Sequence, residues 1–377
     1  MSLRSFGIAA AVLLVAACGQ AQGGTTPTPR PSTAQLLFAV LEANNTVAIV
    51  GLDGRARASA TFAPMPVPNV GCMGAIIPPS AHVAAGKVFF ADGRGVVRSL
   101  GIDNTVTTAA TFPMTSTQQM LSFAVSPDGA HIVGTLFSMP SNGACGATGS
   151  SAFTFDAFRA TSPTTAELVY HTSSTTAPQN VLALTGWDAI GPFGTYPTIW
   201  ASQGGGPAST LGVLVRVDAT TLKPGAQFSD PTQCQVWDSV SSGDFVCQKD
   251  MVSSGGTSVA PLSVRHADGT ESWAYNFSSA NGAFGARVAP DGDHVSICCA
   301  DTTSGFAYTV VGQGNTRAQL ANGFYGEAWL DSRTMVGSYN TNPLAQPPFN
   351  LAYVALSSPG VAVPLGFSGS FVGTVRA

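Results

Sequence analysis

The chain has 377 residues, 45% of them hydrophobic and only 10% charged, with 42 Gly and 25 Pro. A chain of this composition buries a sizeable core, which excludes global disorder. Its formal net charge is -4 and its 16 Lys and Arg are scattered without a basic stripe, so nucleic acid is excluded as a partner.

The first element is an apolar run from Phe6 to Ala17, preceded by Arg4 and closed by Val15, Ala16, Ala17 and Cys18. As a helix its twelve residues rise about 18 Å, short of the ~30 Å of a bilayer core, so the run reads as an export signal and not a span. The closing V-A-A-C resembles the lipobox of bacterial lipoproteins. That resemblance implies that residues 1–17 are removed, that Cys18 is acylated, and that the chain meets a bacterial membrane through its lipid. An ordinary secretory signal that contains a cysteine is the plainer alternative. Gly19 is not the aspartate that in lipoproteins of diderm bacteria marks inner-membrane retention. Residues 18–34 are rich in Gly, Thr and Pro without apolar periodicity, which predicts a flexible tether. The folded domain is expected over 35–377.

From there the pattern is β-rich throughout, with no convincing amphipathic helix. Short apolar runs recur, among them LLFAV (36–40), VAIVGL (47–52), KVFFA (87–91), HIVGTLF (131–137), LGVLVRV (211–217), FAYTVV (306–311) and LAYVAL (351–356). Turn dipeptides separate them: Asp53-Gly54, Asp92-Gly93, Asp128-Gly129, Asp268-Gly269 and Asp291-Gly292. Asp-Gly between apolar strands predicts hairpins, because Gly takes positive φ without steric cost.

The runs also repeat. LDGRARASATFAPM (52–65) parallels IDNTVTTAATFPM (102–114), 50 residues on, and Trp187-Asp188 recurs as Trp237-Asp238 at the same interval. A period of this length with several strands per unit predicts propeller blades. FAVSPDGAHIVG (123–134) parallels ARVAPDGDHVSI (286–297). In these turns Pro127 and Pro290 fix φ, Asp128 and Asp291 bond back to the backbone, and Gly129 and Gly292 take the left-handed position. The two segments resemble the hairpins of TolB-like and WD40-like propeller repeats. Together, period and motif lead to an all-β propeller of about seven four-stranded blades, closed by the strand candidate FSGSFVGTVR (367–376). A β-sandwich pair is the competing architecture.

After Cys18, six cysteines remain: Cys72, Cys145, Cys234, Cys247, Cys298 and Cys299. An even number in an exported chain favours disulfides, and Cys234 and Cys247 are near enough to staple a local loop. The five histidines show no metal-ligand spacing and no nucleophile motif occurs, so neither catalytic residue, metal nor cofactor is expected. Asp291-Gly292-Asp293 resembles a fragment of a calcium loop, but a turn explains it.

The candidate binding residues are the aromatic–acid clusters Trp187-Asp188, Trp237-Asp238, and Glu327 with Trp329. Packing between stacked sheets is the plainer role for such indoles; the functional one is to hold a sugar, peptide or partner loop. The Gly-, Ser- and Pro-rich stretches 139–151 and 189–207 read as insertions that add specificity. These features lead to an anchored extracytoplasmic binding platform for an envelope protein, peptide or glycan. The alternative is a hydrolase or lyase acting on a glycan or another extracellular substrate, with catalysis the less expected of the two. Fold-level analogy to TolB-like scaffolds contributes to that order.

Cys18→Ala should abolish acylation and block processing. Mass spectrometry of the mature N-terminus checks this: wild type should begin at a lipid-bearing Cys18, and an unmodified terminus further along would exclude the anchor.

Overall fold

The computed structural model describes residues 36–66, 80–138, 153–161, 163–174, 183–195, 214–226, 234–248, 252–254, 257–278, 284–298, 308–314, 316–341 and 350–376. The expected signal, Cys18 and tether, together with Cys72, Cys145, Cys299 and most of both insertions, lie outside them. The elements among the described residues are all β-strands.

In chain order, β1 (Leu37–Glu42), β2 (Thr46–Gly51) and β3 (Ala56–Thr61) form an antiparallel meander. Next come β4 (Ala81–Ala84), β5 (Lys87–Asp92), β6 (Val96–Leu100) and β7 (Val106–Thr111). The third group is β8 (Gln119–Val125), β9 (His131–Ser138) and β10 (Phe153–Thr161), completed by β12 (Glu167–Ser174). Between its last two strands β11 (Thr164–Thr165) crosses back to pair in parallel with β7. A fourth sheet holds β13 (Ala183–Trp187), β14 (Pro192–Thr195), β15 (Leu214–Val217) and β16 (Pro224–Ala226). The fifth holds β17 (Gln235–Ser239), β18 (Phe245–Gln248), β19 (Val252–Ser254), β20 (Thr257–Arg265) and β21 (Glu271–Ser278). The sixth is β22 (Phe284–Val288), β23 (His294–Cys298), β24 (Tyr308–Gly312) and β25 (Thr316–Gln319). Finally β26 (Phe324–Asp331), β27 (Thr334–Tyr339), β28 (Asn350–Ala355) and β29 (Ala362–Val375) lead back to the start.

The fold is all-β and propeller-like, but the expected seven equal four-stranded blades are not what the strands form. There are six sheets of seven, four, five, four, five and four strands, and none is closed or curled on itself. The physical reason lies in β29, a strand of 14 residues. Its first part pairs with β28 (Val354↔Ala362, Asn350↔Ser368) and its second with β1 (Glu42↔Gly369, Leu37↔Val375). One continuous strand therefore fuses β26–β28 and β1–β3 into the seven-stranded sheet. The short strands β11 and β19 enlarge two of the others.

Consecutive residues are buried along the early strands of each sheet: Phe38, Ala39 and Val40 are all at 0% exposure. Because neighbouring side chains on a strand point to opposite faces, this means that both faces are covered. The covering comes from adjacent sheets. Val97 and Phe112 meet Leu121, Phe123 and Leu136 in one inter-sheet core, and Val246, Leu262 and Val264 meet Val288, Val295 and Ile297 in another.

The two Pro-Asp-Gly segments form matching turns. Gly129 N–H donates to Ser126 O at 2.8 Å and Gly292 N–H to Ala289 O at 2.9 Å, with φ of 72° and 74°. Asp128 Oδ1 accepts from Ala130 N–H and Asp291 Oδ1 from Asp293 N–H, each at 3.0 Å, so the aspartate of the calcium-like stretch serves its own turn. Cys234 and Cys247 are joined in a disulfide across β17 and β18, with Cα atoms 5.5 Å apart.

Gly129→Val and Gly292→Val should both destabilise, by about 1 kcal/mol each from the positive φ alone. Gly129→Val should cost more, because a Cβ there meets Ala85 Cβ at 3.0 Å, whereas at Gly292 the nearest atom is Val264 Cγ1 at 3.8 Å. Thermal melts of the two variants should show that order.

Candidate functional site

The first strands of successive sheets lie side by side: β4 beside β8, β8 beside β13, β17 beside β22, and β22 beside β26; within the seven-stranded sheet β26 also touches β29. The aromatic–acid clusters all sit on or directly after such strands. Leading a sheet, these strands are the ones whose outward edge meets the neighbouring sheet, so their polar groups find partners there.

Asp188, just after β13, is buried and fully engaged. Its Oδ1 accepts from Arg216 Nη1 at 2.6 Å and from the N–H groups of Ile190 and Gly191 at 2.9 and 3.2 Å. Its Oδ2 accepts from Ser239 Oγ at 2.7 Å. Trp187 is half-buried and packs on the core of Leu184, Val215 and Val217. This pair holds the sheet of β13 to β17.

Asp238 on β17 is different. It is half-buried, its Oδ2 accepts from Val288 N–H at 3.0 Å, and among the described residues no ion pair holds it. Burial pushes its carboxyl up from 3.8 to about 6, against the pull of Arg287 and of the Val288 and Ser239 amides. Trp237 beside it is wedged between sheets at 9% exposure, among Val264, Trp273 and Val288, and its Nε1 has no hydrogen-bond partner among the described residues.

Glu327 on β26 is bonded by Ser338 Oγ at Oε1 and by Phe371 N–H at Oε2, the latter at 3.3 Å. Trp329 is buried, and its Nε1 donates to Arg287 O at 2.9 Å.

Arg287 on β22 therefore sits between the Asp238 and Glu327 strands. Its Nε donates to Glu327 O at 3.2 Å, and its Nη1 to Trp237 O at 3.3 Å and Ala286 O at 3.2 Å. Tyr308 and Tyr325 stand edge-to-face with centroids 6.1 Å apart. The Tyr308 phenol is pushed up by burial, opposed by Arg287 and reinforced by Glu327 and Tyr325, which places all four groups in one electrostatic neighbourhood.

Trp237 and Asp238 on β17 and Glu327 and Trp329 on β26 thus stand on either side of β22, each pair within reach of Arg287 or its backbone, while Asp188 ties β13 to β17. Arg287, Tyr308 and Tyr325 were missed from the sequence. One signal for Arg287 existed: in the paired repeats it stands where the first copy has Ala124, a long cation in place of a methyl group. Among the described residues no cluster of three or more His, Cys, Asp or Glu is placed to hold a metal.

Neither a protein-family profile nor a curated protein sequence matches the chain. Solved structures similar to it include dihydro-heme d1 dehydrogenase NirN at 11% identity and TM-score 0.43, over 92% of this chain and 75% of that one. TolB from Acinetobacter baumannii is similar at 11% identity and TM-score 0.39, over 75% of this chain and 63% of that one. An oligogalacturonate lyase in complex with manganese is similar at 7% identity and TM-score 0.46, over 79% and 80%. Likenesses this distant assign no activity. They do correct the expectation that catalysis is the less favoured role: a dehydrogenase and a lyase stand beside TolB, so the TolB analogy gives no lean away from enzymes.

Asp238 should set a pH dependence of stability. Its folded pKa lies above its unfolded one, so its contribution is fully present below about pH 4 and lost as pH rises through about 6. Asp238→Asn keeps an acceptor for Val288 N–H and sheds the buried charge. The variant should therefore be more stable than wild type above pH 6 by about 2 kcal/mol, with the gap closing toward pH 4. Denaturant titrations across that range check it.

Proposed function

We propose that this chain is an exported protein, anchored through Cys18 and the 18–34 tether, whose propeller-like domain binds and processes an extracellular substrate at the neighbouring strands β17, β22 and β26. The observation that carries this reading is Asp238. A carboxyl that burial raises to about 6, with no ion pair among the described residues, is poised to change protonation in mildly acidic surroundings, which suits a general acid or base. A residue kept charged above pH 6 at a cost to stability fits a site selected for chemistry and not for packing. Glu327, pinned by Ser338 and Phe371, supplies a second carboxylate in the same neighbourhood. The Cys234–Cys247 disulfide supports an oxidising, extracytoplasmic compartment.

A second reading, an interaction platform for an envelope protein, peptide or glycan, is favoured by Trp187, the half-buried indole of the three clusters, whereas Trp237 and Trp329 are taken up by packing.

The test incubates the full-length protein with polysaccharide and peptide panels from about pH 4 to 8, with products followed by mass spectrometry. Turnover should bend near pH 6 and fall about a hundredfold or more in Asp238→Asn. Ligand that binds but is returned unchanged by wild type would overturn the processing role in favour of the platform.

A further inference from the structure

Arg287 is the one cation in the neighbourhood of Asp238, Glu327, Tyr308 and Tyr325, and its hydrogen bonds have an unusual distribution. Three backbone carbonyls, on β17, β22 and β26, take its Nε and Nη1. No carboxylate lies within ion-pair distance of it among the described residues. Both nearby acids are satisfied by other donors: Asp238 by the Val288 amide, Glu327 by Ser338 and Phe371. A half-buried guanidinium is here held by carbonyls, with no acceptor at Nη2 and no direct ion pair among the described residues, although Asp238 lies near enough to feel its charge. Carbonyls fix its orientation without neutralising it, so its ordering has been paid for before any ligand arrives. The planar fork suits a carboxylate.

We propose that Arg287 is the anion anchor of this site and takes the carboxylate group of a small acidic ligand on its Nη2 edge. This rests on the substrate-binding reading given above and names the chemistry of the ligand. The titratable groups in the electrostatic neighbourhood of Arg287 are Asp238 on β17, Glu327 and Tyr325 on β26, and Tyr308 on β24. Asp238 and Glu327 both repel an anion when ionised. Protonation of Asp238 removes half of that repulsion, so the anchor has a built-in preference for mildly acidic conditions.

The experiment titrates the full-length protein with sodium galacturonate, N-acetylalanine, neutral galactose and inorganic phosphate, read by the fluorescence of Trp237 and Trp329 and by calorimetry. The two carboxylates distinguish a sugar acid from a peptide terminus as the source. At least one should bind about tenfold or more tightly than galactose, and more tightly at about pH 5 than at about pH 7.5. Arg287→Lys keeps the charge but loses the fork, and should weaken that binding about tenfold. If Arg287→Lys fails to fold, the pH dependence in wild type and its loss in Asp238→Asn carry the test instead. Equal binding of galactose and both carboxylates, tighter binding at the higher pH, or no carboxylate binding at about 10 mM would overturn the anchor. Turnover that depends on Asp238 without any carboxylate preference would leave the processing role standing and remove only the anchor.

Discussion

Each sheet of this protein is an open structure buried on both faces, so the sheets have to be held to one another along their leading strands. Apolar packing alone would let them slide. A succession of side-chain hydrogen bonds fixes them. The His82 ring on β4 bonds the backbone of Phe123 on β8, and Ser122 on β8 accepts from Leu184 N–H on β13. Asp188 after β13 accepts from Ser239 on β17, and Asp238 on β17 accepts from Val288 on β22. Arg287 on β22 donates to the backbone of Glu327 on β26, and within the seven-stranded sheet the Glu327 carboxylate accepts from Phe371 on β29. Between β29 and β4 the join is apolar, through Val372, Val375, Ala81 and Val83. Each tether pairs a polar side chain with its neighbour's backbone or hydroxyl, a directional bond that sets the stagger between sheets.

The same tethers account for where chemistry can arise. A fully satisfied member such as Asp188 is structural. Asp238 accepts fewer bonds and is left with an unsettled proton. His82 is the mirror case: burial pushes it down to about 4 and its Nε2 finds no partner among the described residues. Its folded pKa is depressed, so it adds stability that is present above the unfolded value and lost as pH falls toward 4. Asp238 acts in the opposite sense over nearly the same window. The two oppose each other over that window, while the turn aspartates Asp53, Asp103, Asp128, Asp218 and Asp268, held below the usual carboxylate range by their hydrogen bonds, add stability that is lost in acid.

Much of the fold was legible because turns and periods are local. The Asp-Gly pairs, the matched Pro-Asp-Gly hairpins and the 50-residue echo between 52–65 and 102–114 all mark real strand boundaries, since positive φ and backbone capping depend on a few adjacent residues. The Cys234–Cys247 link was readable for the same reason. The sheet count was not. Whether LGFSGSF ends one strand and starts another, or runs through, depends on partners at the far end of the chain, and β29 runs through. At the site, the clustering of Trp237, Asp238, Glu327 and Trp329 was not derivable either, because it arises from neighbouring sheets. Arg287 carried only the faint mark of breaking a repeat, and the tyrosines carried none.

The sharing of β29 between the first and last strands has a kinetic side. Leu37 finds its partner Val375 only when nearly the whole chain is present. Until then β1 offers a bare, apolar edge, and the sheet that should cover it has not been made. Such a long-range pairing sits at the slow end of folding, because loop closure must come before its contacts count. A chain interrupted before residue 369 is therefore not a slightly shorter protein but an adhesive one, with its earliest strand available to any neighbour. The edge of the first described strand is thus covered only by a stretch made more than three hundred residues later.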